Sequence, residues 1–295
     1  MKDILVKAIA LNGKVRMYAA RTTELCEQAR IQHDLWPTSQ AALGRVMSIG
    51  AIMAGMLKNE DDKIMIQING HGSLGTCMVE CNSKGDVKGF VGDNQIYLKY
   101  NENNKLAVGL AVGTDGYLKV TKSMGMKVDF TGQVALQSGE IGDDFAYYFT
   151  VSEQTPSAVS VGVLVNTDYS CLAAGGLLIQ IMPDATEEDI EQVEKVVASL
   201  QPISTLINEG QTPQEILRAL FVDTEILEES PLQWRCDCNK DRFKAALTTL
   251  DAKDIQEMID EDHGCQVKCE YCNKTYDFSE DELKFILEFR NSCGK

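Results

Sequence analysis

Two close cysteine pairs, Cys236-Asp237-Cys238 and Cys269-Glu270-Tyr271-Cys272, lie thirty residues apart in the last part of this chain. No other feature constrains the fold as tightly. Each short pair brings two sulfurs to one side of a point, and the insert must bring the two pairs together around it. The insert has the pattern to do so. Phe243, Ala246, Leu247 and Leu250 make one helical stripe, and Asp251 caps a second helix with Ile255, Met258 and Ile259. Tyr271 to Tyr276 reads as a tight hairpin turning at Asn273-Lys274. Ser279 with Glu282 then forms a capping box for a last helix carrying Leu283, Ile286 and Leu287.

A unit of roughly sixty residues has too small a core to hold without a staple. The expectation is one Zn2+ per chain, held by Cys236, Cys238, Cys269 and Cys272. Four thiolates close a tetrahedral site and leave no position for a catalytic water. The bland alternative for the same spacing is four unliganded buried thiols. Cys265 and Cys293 lie close enough in sequence to compete as ligands or to form an off-pathway disulfide. Cys26, Cys77, Cys81 and Cys171 read as ordinary core or half-buried thiols, and His263, before Gly264, as a surface residue.

Charge narrows the function classes. With 28 basic and 44 acidic residues the net charge is −16, which repels a phosphate backbone or an anionic membrane surface. The start, MKDILVKAIA, carries Asp3 where a signal peptide has a basic end. The most apolar stretch, Val46 to Leu57, is interrupted by Ser48, Gly50 and Gly55 and is too short to span a bilayer. A cytoplasmic chain is expected, and there ten cysteines point to metal or redox chemistry rather than a disulfide framework.

The predicted fold class is α+β, in three parts: a large mixed α/β domain over 1–183, an acidic helical linker over 184–231, and a zinc-binding domain over 232–295. In the first, Met1–Ile9 and Val15–Ala19 flank a turn at Asn12-Gly13. Thr22 or Thr23 caps a helix to about Gln32, and Ser39 opens a longer one with Leu43, Val46, Met47, Ile49 and Met53. Alternation at Ile64, Ile66 and Ile68 starts a series of strands at Cys77–Glu80, Gly89–Val91, Lys105–Leu110 and Tyr117–Val120. Tyr147-Tyr148-Phe149 begins a helix or strand, and strands follow at Val159–Asn166 and Gly176–Met182.

From Asp184 to Ser230 there are twelve acidic residues against two basic ones, a net of −10 within the chain's −16. Thr186 with Asp189 caps a stripe of Ile190, Val193, Val197 and Leu200. Thr212-Pro213-Gln214-Glu215 is a second capping box, leading into Ile216, Leu217 and Leu220. Two readings fit: a connector docked on a neighbouring domain, or a marginally stable element that crowded like charge helps to open.

With these residues in view, the chain resembles the thirty-three-kilodalton heat-shock protein family, redox-regulated holdase chaperones of the bacterial cytosol. The two cysteine pairs carry most of the resemblance. Ala42-Leu43-Gly44-Arg45, Ser152-Glu153-Gln154-Thr155-Pro156, Ala174-Gly175-Gly176 and Gln180-Ile181-Met182-Pro183 agree with it as well. Cys265 and Cys293 stand outside the family pattern. The resemblance implies zinc on the four cysteines in the reduced, inactive form. It implies that oxidation joins Cys236 with Cys238 and Cys269 with Cys272, that zinc leaves, and that the linker loosens from the large domain. It further implies unfolded client proteins as partners, held without ATP and passed to ATP-dependent chaperones. A homodimer on oxidation, no enzymatic activity, and no nucleic-acid or membrane partner complete the expectation. Consistent with this, Gly70-x-Gly72 and Gly113 to Gly116 lack the Lys-Ser/Thr and helix start of a phosphate loop. The competing readings are a thiol–disulfide oxidoreductase using Cys269 and Cys272, which calls for a helix start after a strand, and a zinc-ribbon nucleic-acid module, which the charge opposes.

Overall fold

The computed structural model describes residues 1–100 and 105–293, with side chains as far as Arg290. The protein is α+β and forms two compact units, Met1–Arg235 and Cys236–Lys295.

The large unit begins with the expected hairpin. Strands β1 (Ile4–Ala10) and β2 (Val15–Arg21) pair from Ile4 opposite Arg21 to Ala10 opposite Val15. Leu11, Asn12 and Gly13 turn the chain at φ of 50°, 55° and 87°. Helices α1 (Thr23–His33) and α2 (Pro37–Ala54) follow, then β3 (Lys63–Asn69), β4 (Cys77–Asn82), β5 (Asp86–Val91), a one-turn α3 (Val108–Val112), β6 (Tyr117–Ser123) and β7 (Phe130–Ala135). After α4 (Gly142–Val151) come β8 (Ser157–Val165) and β9 (Cys171–Ile181). The acidic stretch forms α5 (Glu187–Ser199), α6 (Ile203–Asn208), α7 (Pro213–Leu220) and β10 (Glu225–Pro231), and β11 (Gln233–Trp234) ends the unit.

The strands form two sheets, ordered β10-β1-β2-β9-β8 and β11-β5-β4-β3-β6-β7. Helix α2 explains why they pack as they do. Every residue of it except Arg45 is buried, because it is apolar or small on all sides and meets both sheets at once. One core joins Leu5, Tyr18 and Leu178 of the first sheet, Leu43, Met47, Ile49 and Ile52 of α2, and Ile64, Ile66 and Val79 of the second. Each such fully buried aliphatic side chain contributes about 1.5–3 kcal/mol of transfer free energy. Arg45 is half-buried and pairs with Glu140 at 2.7 Å.

Three local expectations change. Helix α2 opens at Pro37, whose fixed φ suits a first helical position, while the Ser39 hydroxyl donates to Asp93 O at 2.9 Å. Thr22 flanks α1, but its hydroxyl bonds Ser48 Oγ at 2.6 Å instead of capping the helix. The cap comes from the residue ahead of β1: the Asp3 carboxylate accepts from Leu25 N at 2.7 Å and Glu24 N at 3.1 Å. The strand expected at Lys105–Leu110 is replaced by α3, with Val108, Ala111 and Val112 buried. A short apolar run does not reveal its own period, and here Gly109 N, donating to Glu140 Oε1 at 2.9 Å, holds the turn.

The first sheet has a second buried face. On it lie Val6, Ala8, Val15, Met17, Ala19, Leu177 and Ile179, covered by Val193, Ile203, Leu206, Ile207, Ile216, Leu217 and Phe221 of the acidic stretch. Both capping boxes form, with Thr186 Oγ1 accepting from Asp189 N and Thr212 Oγ1 from Glu215 N. The fit is close at Gly162, where an added Cβ would lie 2.5 Å from Ser204 Oγ and 2.9 Å from Ser204 Cβ. Lys14 pairs with Asp189 at 2.8 Å and Lys7 with Glu228 at 2.7 Å, so scattered basic residues of the hairpin meet the acidic stretch. Its last seven residues are not helical. They form β10, antiparallel to β1 from Ile4 opposite Pro231 to Ile9 opposite Glu225. Most side chains of this edge strand are exposed, so its sequence has no apolar alternation to betray it.

The small unit contains α8 (Lys240–Leu247), α9 (Ala252–Asp260), the hairpin β12 (Gly264–Lys268) and β13 (Thr275–Ser279), and α10 (Glu280–Cys293). Its buried core is Leu247, Ile255, Ile259, Phe278, Leu283 and Ile286. That is little apolar surface for a unit of this length, which makes a crosslink physically necessary for a firm fold.

Candidate metal centre

The four sequence-predicted cysteines come together. The sulfurs of Cys236, Cys238, Cys269 and Cys272 all lie within 4.8 Å of one another, with Cys269 and Cys272 buried and the other two half-buried. Cys236 Sγ is 3.7 Å from Cys269 Sγ and Cys238 Sγ is 3.2 Å from Cys272 Sγ.

Local chemistry sets each pair. After Cys238, the Asn239 side chain accepts from Arg242 N at 2.9 Å and starts α8, fixing where the first pair ends. Arg242 also reaches back to Asp237 at 2.8 Å, between the two cysteines. The second pair sits on the tip between β12 and β13. There Cys269 O accepts from Asn273 N at 2.7 Å and Cys272 N at 3.3 Å, while Cys269 N donates to Lys274 O at 2.8 Å. Asn273, at φ 57°, supplies the left-handed residue that closes the knuckle. The expected turn at Asn273-Lys274 is where the chain reverses.

The donor set fits a tetrahedral ion. Metal–sulfur bonds of about 2.3 Å put sulfurs about 3.8 Å apart along each edge of a tetrahedron, and the sulfurs here stand close to that spacing. The four cysteines can therefore hold a metal ion. Burial pushes the Cys236 and Cys272 thiols up. Cys238 behaves differently: burial opposes its ionisation, but hydrogen bonds with Tyr276 and with the neighbouring cysteines outweigh it and bring it down to about 7. Tyr276 was not visible from spacing as part of the site. Its hydroxyl donates to Cys238 O at 3.0 Å and lies 3.2 Å from Cys238 Sγ, while its ring packs against Phe243 at 5.1 Å between centroids.

The remaining candidates fall outside the cluster. Cys265 is on β12 opposite Phe278, with its thiol raised by burial and then by Asp262. The side chain of Cys293 lies outside the described residues. His263 is exposed, at φ 52°, and its Nδ1 is 3.2 Å from Glu280. Cys77 and Cys81 share the buried face of β4, and burial alone pushes the Cys77 thiol up to about 12. The Cys269–Cys272 pair occupies a strand-to-strand knuckle, not a helix N-terminus, so the arrangement of a thioredoxin-type motif is absent from it.

Residues 3–279 match the family model described as Hsp33 protein. The chain belongs to the Hsp33 family. Similar curated proteins carry the name 33 kDa chaperonin. That of Bacillus subtilis (strain 168) is 47% identical over 287 residues, covering 97% of this chain and 98% of its own. That of Staphylococcus carnosus (strain TM300) is 44% identical over 293 residues, covering 99% of each. The crystal structure of the 33 kDa chaperonin from Thermotoga maritima superposes with a TM-score of 0.89 at 34% identity, covering 99% of this chain and 100% of that one. As a member of the Hsp33 family the protein is a chaperone, and its Hsp33-type architecture, a mixed α/β body with a four-cysteine cluster near the carboxy terminus, agrees with the expectation from sequence. Among the described residues no helix is long and apolar enough to cross a membrane.

Proposed function

We propose that this chain is a redox-regulated, ATP-independent holdase whose activity is set by the four-cysteine cluster. The observation that carries the reading is the placement of four mutually close sulfurs in a unit whose fully buried core, among the described residues, is six side chains. Cys236, Cys238, Cys269 and Cys272 would hold one zinc ion, which when bound supplies the crosslink that the small core lacks. Oxidation consumes the four thiolates. Each disulfide, Cys236 with Cys238 and Cys269 with Cys272, would form as two thiolates surrender two electrons to the oxidant, with no proton to release because the ligating sulfurs are already deprotonated. Every sulfur is within 4.8 Å of the others, so this pairing is within reach. Disulfide sulfurs no longer carry ligating charge, and the small unit, Cys236–Lys295, loses its staple.

In this reading residues 184–231 are the switch and 1–183 the client-binding body. The acidic helices hide the apolar outer face of the first sheet, where Val6, Met17, Leu177 and Ile179 are each 1% exposed or less. Their loss would uncover a contiguous apolar face of the kind that binds unfolded protein. Clients would be unfolding cytoplasmic proteins, handed on to ATP-dependent chaperones, with homodimers forming on oxidation. No enzymatic step, nucleic acid or membrane is assigned.

The test is a titration of the full chain with peroxide under mild heat. Zinc release, thiol loss and suppression of aggregation of a denatured client are followed together. The three are expected to rise in parallel. If the reduced, zinc-loaded chain suppresses aggregation as well as the oxidised one, the switch reading fails. Catalytic turnover of a disulfide substrate would point to an oxidoreductase.

A further inference from the structure

A second pair of cysteines meets in the large unit. Cys26 lies in the first turn of α1 and is 1% exposed, and Cys171 opens β9 and is half-buried. The start of α1 runs along the start of β9 and is fastened on both sides of Cys26. Thr22 N donates to Ala174 O at 2.9 Å and Ala174 N to Thr23 Oγ1 at 3.1 Å, while Cys171 N donates to Glu27 Oε2 at 2.9 Å.

The strand alone would not bring the thiols together. Along β9, Ala174 and Leu178 face the core that contains Cys26, and Ala173, Leu177 and Ile179 face the acidic helices. Strict alternation puts Cys171 with Ala173, away from Cys26. The register breaks there. Ala173 is opposite Leu164 and Cys171 opposite Val165, so Leu172 is an extra residue, and it is 49% exposed. Such a bulge re-aims the side chain beyond it. It turns Cys171 onto the core that holds Cys26, beside the Cys26 thiol, which donates to Gln40 O at 3.9 Å. Gly44 of α2 makes the room: a Cβ there would sit 2.7 Å from Cys26 Sγ and 2.7 Å from Val163 Cγ2.

We propose that Cys26 and Cys171 are a second, reversible thiol–disulfide site, built into the large unit and independent of the four-cysteine cluster. Half-buried Cys171 is the sulfur an oxidant reaches, and buried Cys26 resolves it. A peroxide gives up its O–O bond to two electrons of the Cys171 sulfur, leaving a sulfenic acid and one water. The Cys26 sulfur then displaces the hydroxyl, which leaves with the Cys26 proton as a second water. Two thiols and one peroxide give one disulfide and two waters. The neighbouring Cys171 thiol, and then burial, hold the Cys26 thiol well above its ordinary range. Thiolate is scarce, so the pair closes at higher oxidant or longer exposure than the cluster. The bridge joins residues about 145 apart, a span over which a crosslink strongly restricts the unfolded chain. It would keep the large unit folded under oxidant.

The experiment exposes full-length protein to graded hydrogen peroxide, blocks remaining thiols by alkylation, and maps tryptic peptides without reduction. The expected result is a Cys26–Cys171 linked peptide that appears after the cluster thiols are consumed and disappears with dithiothreitol. On oxidation the melting midpoint of the large unit should rise by roughly 5–10 °C, and Cys171→Ser should remove both signals while still responding at the cluster. Recovery of Cys26 as an alkylated thiol after the cluster is fully oxidised overturns the proposal. So does Cys171 ending as sulfinic acid or bridged to another cysteine.

Discussion

Tyr276 stands 3.2 Å from the sulfur of Cys238 through the same hydroxyl that donates to the Cys238 carbonyl at 3.0 Å. It holds the backbone and lies against the sulfur of one corner of the cluster, as partners behind metal ligands do. Tyr276→Phe keeps the ring packed on Phe243 and removes only that bond. Zinc affinity, read by competition with a colorimetric chelator, should fall about tenfold. An unchanged affinity would show that the hydroxyl does not support the site.

Cys272→Ser removes one donor from a unit whose six-residue core cannot hold it. Zinc content should drop well below one per chain, and amide hydrogen exchange over 240–290 should approach that of an unfolded segment, since structural zinc is worth about 10–16 kcal/mol in small domains. Exchange over 1–181 should stay slow. Protection of the small unit without metal would contradict this.

Gly162→Ala tests the switch without touching a cysteine. The three atoms nearest the added methyl all belong to Ser204 of α6, so the substitution pushes on the acidic helices alone. Overpacking of this kind costs about 1–3 kcal/mol. The reduced chain should then show faster exchange over 187–220 and suppress client aggregation without oxidant. If docking loosens and no suppression appears, the covered face is not the client surface.

Asp3 gives a pH signature. Burial pushes its carboxyl up from 3.8 to about 6, against the amides of Leu25 and Glu24 and the Arg21 guanidinium. Between those values the folded chain holds a proton that the unfolded chain has released. The contribution of this group is therefore full below pH 3.8 and is lost as pH rises through 6, by about 3 kcal/mol. Asp3→Asn should lack that loss. The difference in urea stability between parent and variant should change by about 2 kcal/mol between pH 4 and pH 7, and a constant difference would refute the assignment.

The site was legible because a metal cluster needs residue types at fixed spacing, and Cys236, Cys238, Cys269 and Cys272 advertise that spacing in one dimension. The hairpin at Asn12-Gly13 and the capping boxes at Thr186 and Thr212 were legible for a similar reason, since their chemistry is local. What the sequence hid depends on partners far along the chain. Asp3 caps a helix from just ahead of β1, Tyr276 reaches back to Cys238, and α3 is held by Glu140. β10 stayed hidden because its order comes from β1, and its own side chains mostly face water.

That pairing also has a consequence for synthesis. Lys7 of β1 meets Glu228 of β10 across 221 residues. At about 5–20 residues per second, a ribosome needs roughly ten to forty seconds to make the second strand after the first. During that interval the outer edge of β1 has no partner within its own chain, and its backbone groups can pair with any extended peptide nearby. The nascent chain thus needs shielding of its own before the edge is closed.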